Sequence, residues 1–86
     1  MKLKSTSYFD KRLAKRLRKN AQLKKQVDKQ LKLLMGDPRY PALKLHKLEG
    51  KRVQEFAIWI EGNLRITFQI IKDTIVLTDI ITHDEY

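Results

Sequence analysis

The chain has 86 residues and a mass of 10.2 kDa, which is enough for one small domain and too little for a two-domain enzyme. It contains no cysteine, so disulfides, a thiolate nucleophile and cysteine-ligated metal sites are excluded. Lysine and arginine outnumber aspartate and glutamate by 19 to 10, and the resulting net charge of +9 favours a polyanionic partner.

The basic charge is concentrated in the N-terminal half. Residues 1–35 carry twelve basic and two acidic side chains, whereas residues 57–86 carry two basic and five acidic ones. This polarity predicts that one surface of the domain contacts phosphates. No apolar run approaches the roughly 18 residues of a membrane span. The first five residues lack the apolar core of a signal peptide, so we expect a cytoplasmic protein that does not contact membranes.

Two helices are predicted after a short edge strand or arm at residues 2–6. Ser7 and Asp10 have the spacing of an N-cap and an acidic first turn, so we expect the first helix to begin at Ser7. Asn20 ends this helix or caps the next, and Gly36-Asp37-Pro38 is a typical helix stop. Each helix carries one apolar stripe at helical spacing. The stripes are Phe9, Leu13 and Leu17, then Leu23, Val27, Leu31 and Leu34.

Three strands are predicted after an ordered loop at residues 37–50, which Leu43, Leu45 and Leu48 anchor to the core. From Phe56 onward the apolar residues alternate with a period of two, interrupted by turns at Glu61-Gly62-Asn63 and Lys72-Asp73. The order β-α-α-β-β-β predicts a single α+β domain spanning residues 1–86. In it, a two-helix hairpin packs on one face of a small antiparallel sheet.

Three local motifs resemble those of a known family. They are Leu45-His46-Lys47-Leu48-Glu49-Gly50, Leu64-Arg65-Ile66-Thr67-Phe68 and Ile81-Thr82-His83-Asp84-Glu85-Tyr86. In this order, on a basic helical hairpin followed by three strands, they resemble the RelE/ParE superfamily of toxins from type II toxin–antitoxin pairs. The last motif is similar to the C-terminus of the messenger-RNA-cleaving branch. His83 and Tyr86 are three residues apart, whereas four is usual in that branch, and its second histidine and Asp-Trp pair are absent.

The resemblance implies a ribosome-dependent endoribonuclease that cleaves mRNA and so inhibits translation. Its implied partners are the ribosome, the mRNA and a cognate acidic antitoxin, and no small-molecule cofactor is implied. Two alternatives stay open. The resemblance to the superfamily also implies a ParE-like poison of a topoisomerase such as DNA gyrase, although the His83 motif argues against it. The charge also fits a nucleic-acid-binding module without catalytic activity.

Metal-independent RNA cleavage needs a base for the 2′-hydroxyl, an acid for the leaving oxygen and a cation for the phosphorane. His46, His83 and Arg65 supply these groups, since histidine exchanges protons near neutral pH. Glu55 is a further acid–base or orienting group. Tyr86 and Trp59 are candidates for stacking on RNA bases.

Each assignment has a structural alternative. The histidines suit solvated surface positions, and Arg65 equally suits an ion pair with Glu55 on the neighbouring strand. Trp59 suits burial under the C-terminal residues. His83, Asp84 and Glu85 are possible metal ligands, but without a second cluster or a histidine pair at helical spacing we expect no metal site.

The cations of the first helix exceed what solubility requires, so we expect them to contact RNA or the ribosome together with cations of the following loop. The predicted contact residues are Lys11, Arg12, Lys15, Arg16, Arg18, Lys19, Lys47, Lys51 and Arg52.

Overall fold

Two helices and five strands make up the part of the chain that the computed structural model describes, residues 1–50 and 54–82. The helices are α1 (Ser7–Leu17) and α2 (Ala21–Gly36), and a 3-10 turn follows at Pro41–Leu43. The strands are β1 (Lys2–Ser5), β2 (His46–Lys47), β3 (Phe56–Glu61), β4 (Leu64–Ile71) and β5 (Thr74–Thr82). The predicted α+β class is confirmed.

The sheet has the order β1-β5-β4-β3-β2 and is mixed. Strands β3, β4 and β5 pair antiparallel, as predicted, and β2 adds antiparallel to β3. Strand β1 instead runs parallel to β5, with Leu3 opposite Ile75. The helical hairpin carries the chain from β1 back across the sheet, so the first and last strands become neighbours. The predicted sheet also lacked β2, because two residues are too short to show a period of two.

Side-chain caps begin both helices. The Thr6 hydroxyl accepts a hydrogen bond from the Phe9 amide at 3.1 Å, so Thr6, rather than the predicted Ser7, is the N-cap of α1. The Asn20 side chain accepts a hydrogen bond from the Leu23 amide at 3.1 Å and caps α2. This is the second of the two roles predicted for Asn20. None of the described helices is both long enough and apolar enough to cross a membrane.

The core lies between the helices and one face of the sheet. The predicted stripes of α1 and α2 meet alternate residues of the strands, and the rings of Phe56 and Phe68 stack with their centroids 5.7 Å apart. Leu43 of the predicted loop is fully buried in the same core. The loop is therefore anchored to the core, as predicted.

Two glutamines attach α2 to β3 at a place where β3 has lost its regular pairing. The register shifts between Trp59 and Glu61. Gln30 donates to the Trp59 carbonyl at 2.8 Å and to the Ala42 carbonyl at 3.2 Å, and Gln26 donates to the Ile60 carbonyl at 2.8 Å. Gln30 is only 1% exposed, so the two carbonyls satisfy a buried amide that water does not reach.

A second polar contact attaches α1 to β5. Arg12 Nε lies 2.6 Å from Asp79 Oδ1, and Arg12 Nη2 donates to the Ile80 carbonyl at 3.2 Å. The Asp79 side chain is 7% exposed and also accepts the Ile80 amide at 2.8 Å. These contacts lie beyond Leu77, where the pairing of β1 with β5 ends. Arg12 therefore fixes the unpaired edge of β5.

Candidate functional site

One face of the sheet is turned away from the helices and carries the polar side chains of the strands. We call it the outer face. Because neighbouring residues of a strand point to opposite sides, and Ile58, Ile66 and Phe68 pack in the core, the residues between them point outward. The residues of the outer face are His46, Glu55, Ala57, Trp59, Arg65, Thr67 and Gln69.

The outer face has a buried floor and a more accessible rim. His46, Ala57 and Thr67 lie side by side across β2, β3 and β4, and Ala57 and Thr67 have no exposed surface. His46 is exposed, and Arg65 is half-buried. Two of the three residues that the sequence predicts for base, acid and cation therefore border the same small floor.

His46 is held by a carbonyl of its own loop. Its Nδ1 lies 3.1 Å from the carbonyl oxygen of Lys44. A carbonyl only accepts hydrogen bonds, so this contact favours the tautomer that carries its proton on Nδ1. In the neutral ring Nε2 is then the basic nitrogen, as a general base requires.

Arg65 lies beside the turn between β3 and β4. Its Nη1 donates to the carbonyls of Gly62 and Leu64, both at 3.3 Å, and the Trp59 indole donates to the same Gly62 carbonyl at 2.8 Å. Gly62 has a φ of +52°, which glycine adopts without strain. The contacts of Arg65 are long and made at an exposed turn, so an anionic ligand can replace them.

Glu55 is not the partner of Arg65. The register places Trp59 opposite Arg65, whereas Glu55 lies opposite Gln69, whose Nε2 is 3.5 Å from Glu55 Oε2. Strand spacings of about 4.8 Å and a rise of about 3.3 Å per residue put the Cα atoms of Glu55 and Arg65 about 14 Å apart. The alternative that these residues form an ion pair is therefore wrong.

The same spacings put the Cα atoms of His46 and Arg65 about 12 Å apart, on the same face and two strands from each other. This separation leaves room for a phosphodiester between the two side chains. Trp59 is half-buried at the edge of this area, with the Lys44 ammonium 4.8 Å from its ring centroid.

Several predicted residues lie outside the described residues: His83, Tyr86, Lys51 and Arg52. The predicted burial of Trp59 under the C-terminal residues also involves residues outside the described part of the chain. The described chain reaches Thr82, which pairs with Leu64, the residue before Arg65. His83 follows Thr82 directly in the sequence.

Most of the predicted cations of α1 lie at the surface. Lys11, Lys15, Arg18 and Lys19 are exposed, and Arg16 is half-buried. Arg12 differs, because its guanidinium is engaged by Asp79 and lies 5.5 Å from the ring centroid of Tyr8. The structure therefore gives Arg12 a structural role. The predicted Lys47 is exposed on β2 next to His46.

Two residues of this area were not predicted from the sequence. Lys44 lies over Trp59 and presents its carbonyl to His46, and Gln69 contacts Glu55. A lysine in a loop and a glutamine in a strand carry no sequence signal of such contacts. Among the described residues, no three histidines or carboxylates lie close enough together to hold a metal ion.

The fold is similar to those of several solved toxin structures. The YoeB/ParE toxin from Agrobacterium tumefaciens superposes with a TM-score of 0.82 at 15% sequence identity, over 96% of this chain and 99% of that one. A metal-bound toxin from Helicobacter pylori superposes with a TM-score of 0.81 at 25% identity, over 99% and 97%. For the E. coli DinJ-YafQ toxin-antitoxin complex the TM-score is 0.76 at 14% identity, over 96% and 92%. The sequence matches no protein-family model and no curated protein.

Proposed function

Because the chain has the fold of RelE/ParE-type toxins, as its sequence motifs predicted, we propose that it is the toxin of a toxin–antitoxin pair. We propose further that it is a ribosome-dependent endoribonuclease that cleaves mRNA by acid–base catalysis without a metal. The observation that supports this activity is the outer face, where His46 and Arg65 border one buried floor.

In the proposed reaction, His46 Nε2 takes the proton of the 2′-hydroxyl, whose oxygen then attacks the adjacent phosphorus. Arg65 stabilises the negative charge that develops on the phosphorane oxygens. His83 donates a proton to the leaving 5′-oxygen, so that one bond to phosphorus forms as the other breaks. Glu55 is proposed as an orienting group through its contact with Gln69, and Tyr86 as a residue that stacks on a base.

The ribosome is proposed to bind the cationic surface of α1. Lys11, Lys15 and Arg18 lie at helical spacing along one side of the helix and its C-cap, and all three are exposed. Such a row matches the regular spacing of phosphates in ribosomal RNA, and neutralising them releases condensed counterions. Arg12 is left out of this proposed surface because Asp79 holds its guanidinium.

An acidic antitoxin is the proposed protein partner. The related E. coli toxin was solved in a toxin-antitoxin complex with DinJ. A net charge of +9 attracts an anionic chain over long distances and accelerates association. Purification of this protein together with the product of its neighbouring reading frame is expected to yield a complex that dissociates at high salt.

The test of the proposed activity is translation in a cell-free system to which the purified protein is added, followed by mapping of mRNA 5′ ends. The wild type should generate new ends in translated mRNA and none in the absence of ribosomes. Arg65→Ala should lower the single-turnover rate of cleavage about 100–1000-fold, by analogy with the loss of one oxyanion-hole donor. His83→Gln should lower it about 100–10,000-fold, as expected for a general acid.

The matched control is Lys29→Ala, which removes one exposed cation from α2 and should cleave like the wild type. Cleavage by Arg65→Ala at the wild-type rate would remove Arg65 from the proposed mechanism. Growth arrest with unchanged protein synthesis and inhibited DNA gyrase would replace the proposed activity by the ParE-like alternative.

A further inference from the structure

A groove runs along the loop between α2 and β2 and reaches the outer face at His46, which is one of its lining residues. Its volume is about 470 Å³. Phe56 and the half-buried Leu45 contribute apolar surface, and Tyr40, which is 44% exposed, forms one wall. Arg39, Lys44 and Lys47 are the charged groups of its lining, and all three are exposed. Among the described residues the lining holds no carboxylate, and an aromatic wall combined with three cations suits a nucleotide.

Lys44 joins this groove to the outer face. Its backbone is left-handed, with φ 48° and ψ 45°, a conformation that costs a residue other than glycine about 1–2 kcal/mol. The conformation lets the Lys44 amide bond the Pro41 carbonyl at 3.1 Å, while its own carbonyl faces His46 and its ammonium covers Trp59. Strain of this kind concentrates at functional sites. One lysine thus lines the groove, orients the proposed base and contacts the aromatic ring on the other side.

We propose that this groove is a nucleotide subsite for single-stranded RNA. It holds a nucleotide that flanks the cleaved one, with its base stacked on Tyr40 and its phosphates contacted by Arg39 and Lys47. Aromatic rings that stack on unpaired bases, together with cations along the backbone, are the usual means of binding single strands. The assignment rests on the proposed function, because it takes His46 as the point at which the RNA is cut.

The subsite is tested with a single-stranded RNA hexanucleotide whose riboses are 2′-O-methylated, so that no 2′-hydroxyl is present for cleavage. Titration into the ¹⁵N-labelled full chain should shift the amide resonances of the loop at residues 39–47. Fluorescence anisotropy with the labelled oligonucleotide then gives the affinity. Tyr40→Ala should weaken binding roughly 5- to 150-fold, the range for loss of one stacked base, and Tyr40→Phe should bind like the wild type.

Lys47→Gln is the second variant, because it removes one exposed cation from the lining of the groove. It should fold like the wild type and bind more weakly. The slope of log affinity against log salt should become smaller by about 0.7, as expected for one phosphate contact of a single strand. Lys29→Gln, a change of one exposed cation on α2, is the control and should leave the affinity and the slope unchanged.

The outcomes separate this subsite from the proposed activity. If Tyr40→Ala and Lys47→Gln bind the oligonucleotide like the wild type, the subsite is wrong, whatever Arg65→Ala does to cleavage. If both variants bind weakly but the wild type cleaves no ribosome-bound mRNA, the subsite stands and the proposed activity fails. If a hexaglutamate peptide shifts the loop resonances and RNA does not, the groove is a protein-docking site and the subsite is refuted.

Discussion

Replacing Gln30 tests whether a single buried amide holds the loop of the site in place. Gln30→Met keeps the length of the side chain but removes both donors to the carbonyls of Trp59 and Ala42. A buried carbonyl left without a donor costs about 1–3 kcal/mol. Ala42 is exposed and Trp59 is half-buried, so water replaces part of the lost hydrogen bonding, and we expect a loss of about 1–3 kcal/mol. Domains of this size have total stabilities of about 5–10 kcal/mol, so the loss is large.

The assay is urea unfolding followed by the fluorescence of Trp59, the only tryptophan of the chain. Hydrogen exchange should also quicken at the Leu43 amide, which bonds the Tyr40 carbonyl in the loop that Gln30 anchors. The matched control is Gln26→Met, which loses one bond from a half-buried side chain and should cost under about 1 kcal/mol. Equal losses for the two variants, or a Gln30→Met protein as stable as the wild type, would refute the reasoning.

Three further changes probe α1. Arg12→Met removes the guanidinium that contacts the Asp79 carboxylate and should lower the free energy of unfolding in urea by about 1–3 kcal/mol. The loss is smaller than for a fully buried ion pair because Arg12 is partly solvated. The control Lys11→Met, at an exposed position, should cost under about 0.5 kcal/mol. Thr6→Ala removes the N-cap and should cost about 1 kcal/mol, whereas no loss of stability would mean that the Phe9 amide finds water instead. Reversing three exposed cations to glutamate should weaken ribosome association in sedimentation assays without unfolding, and wild-type association that ignores salt would contradict the phosphate contacts. The three are Lys11, Lys15 and Arg18.

The sequence determined the two helices and the strands β3, β4 and β5, because each depends on residues close to one another in the chain; the two-residue β2 was not predicted. The stripe of Leu23, Val27 and Leu34 has a period that only a helix places on one face. The apolar residues around Ile58 and Ile66 alternate with a period of two, which only a strand places on one face. Asn20 and Gly62 mark boundaries through local hydrogen bonding and a local φ. The fold class followed from these elements and their order.

The sequence contains one sign of the buried hydrogen bonds between α2 and β3, the position of Gln30, but this sign is ambiguous on its own. Gln30 occupies a position three residues after Val27 and four before Leu34, within the apolar stripe of α2. A glutamine there predicts either an exposed edge of the stripe or a buried donor. The choice depends on whether unpaired carbonyls face it, which the irregular register of β3 decides.

The arrangement of the site was decided by the tertiary structure alone. The parallel pairing of β1 with β5 and the ion pair of Arg12 with Asp79 join residues that are distant in the sequence. Glu55 is separated from Arg65 because cross-strand partners depend on the register of the two strands. A shift of the register by two residues keeps every side chain on its face, so the alternating pattern does not determine these partners. Lys44 reaches both Trp59 and His46 only through a left-handed backbone that no neighbouring residue requires. Local patterns set which face a side chain occupies, whereas its neighbours on that face follow from long-range pairing and packing.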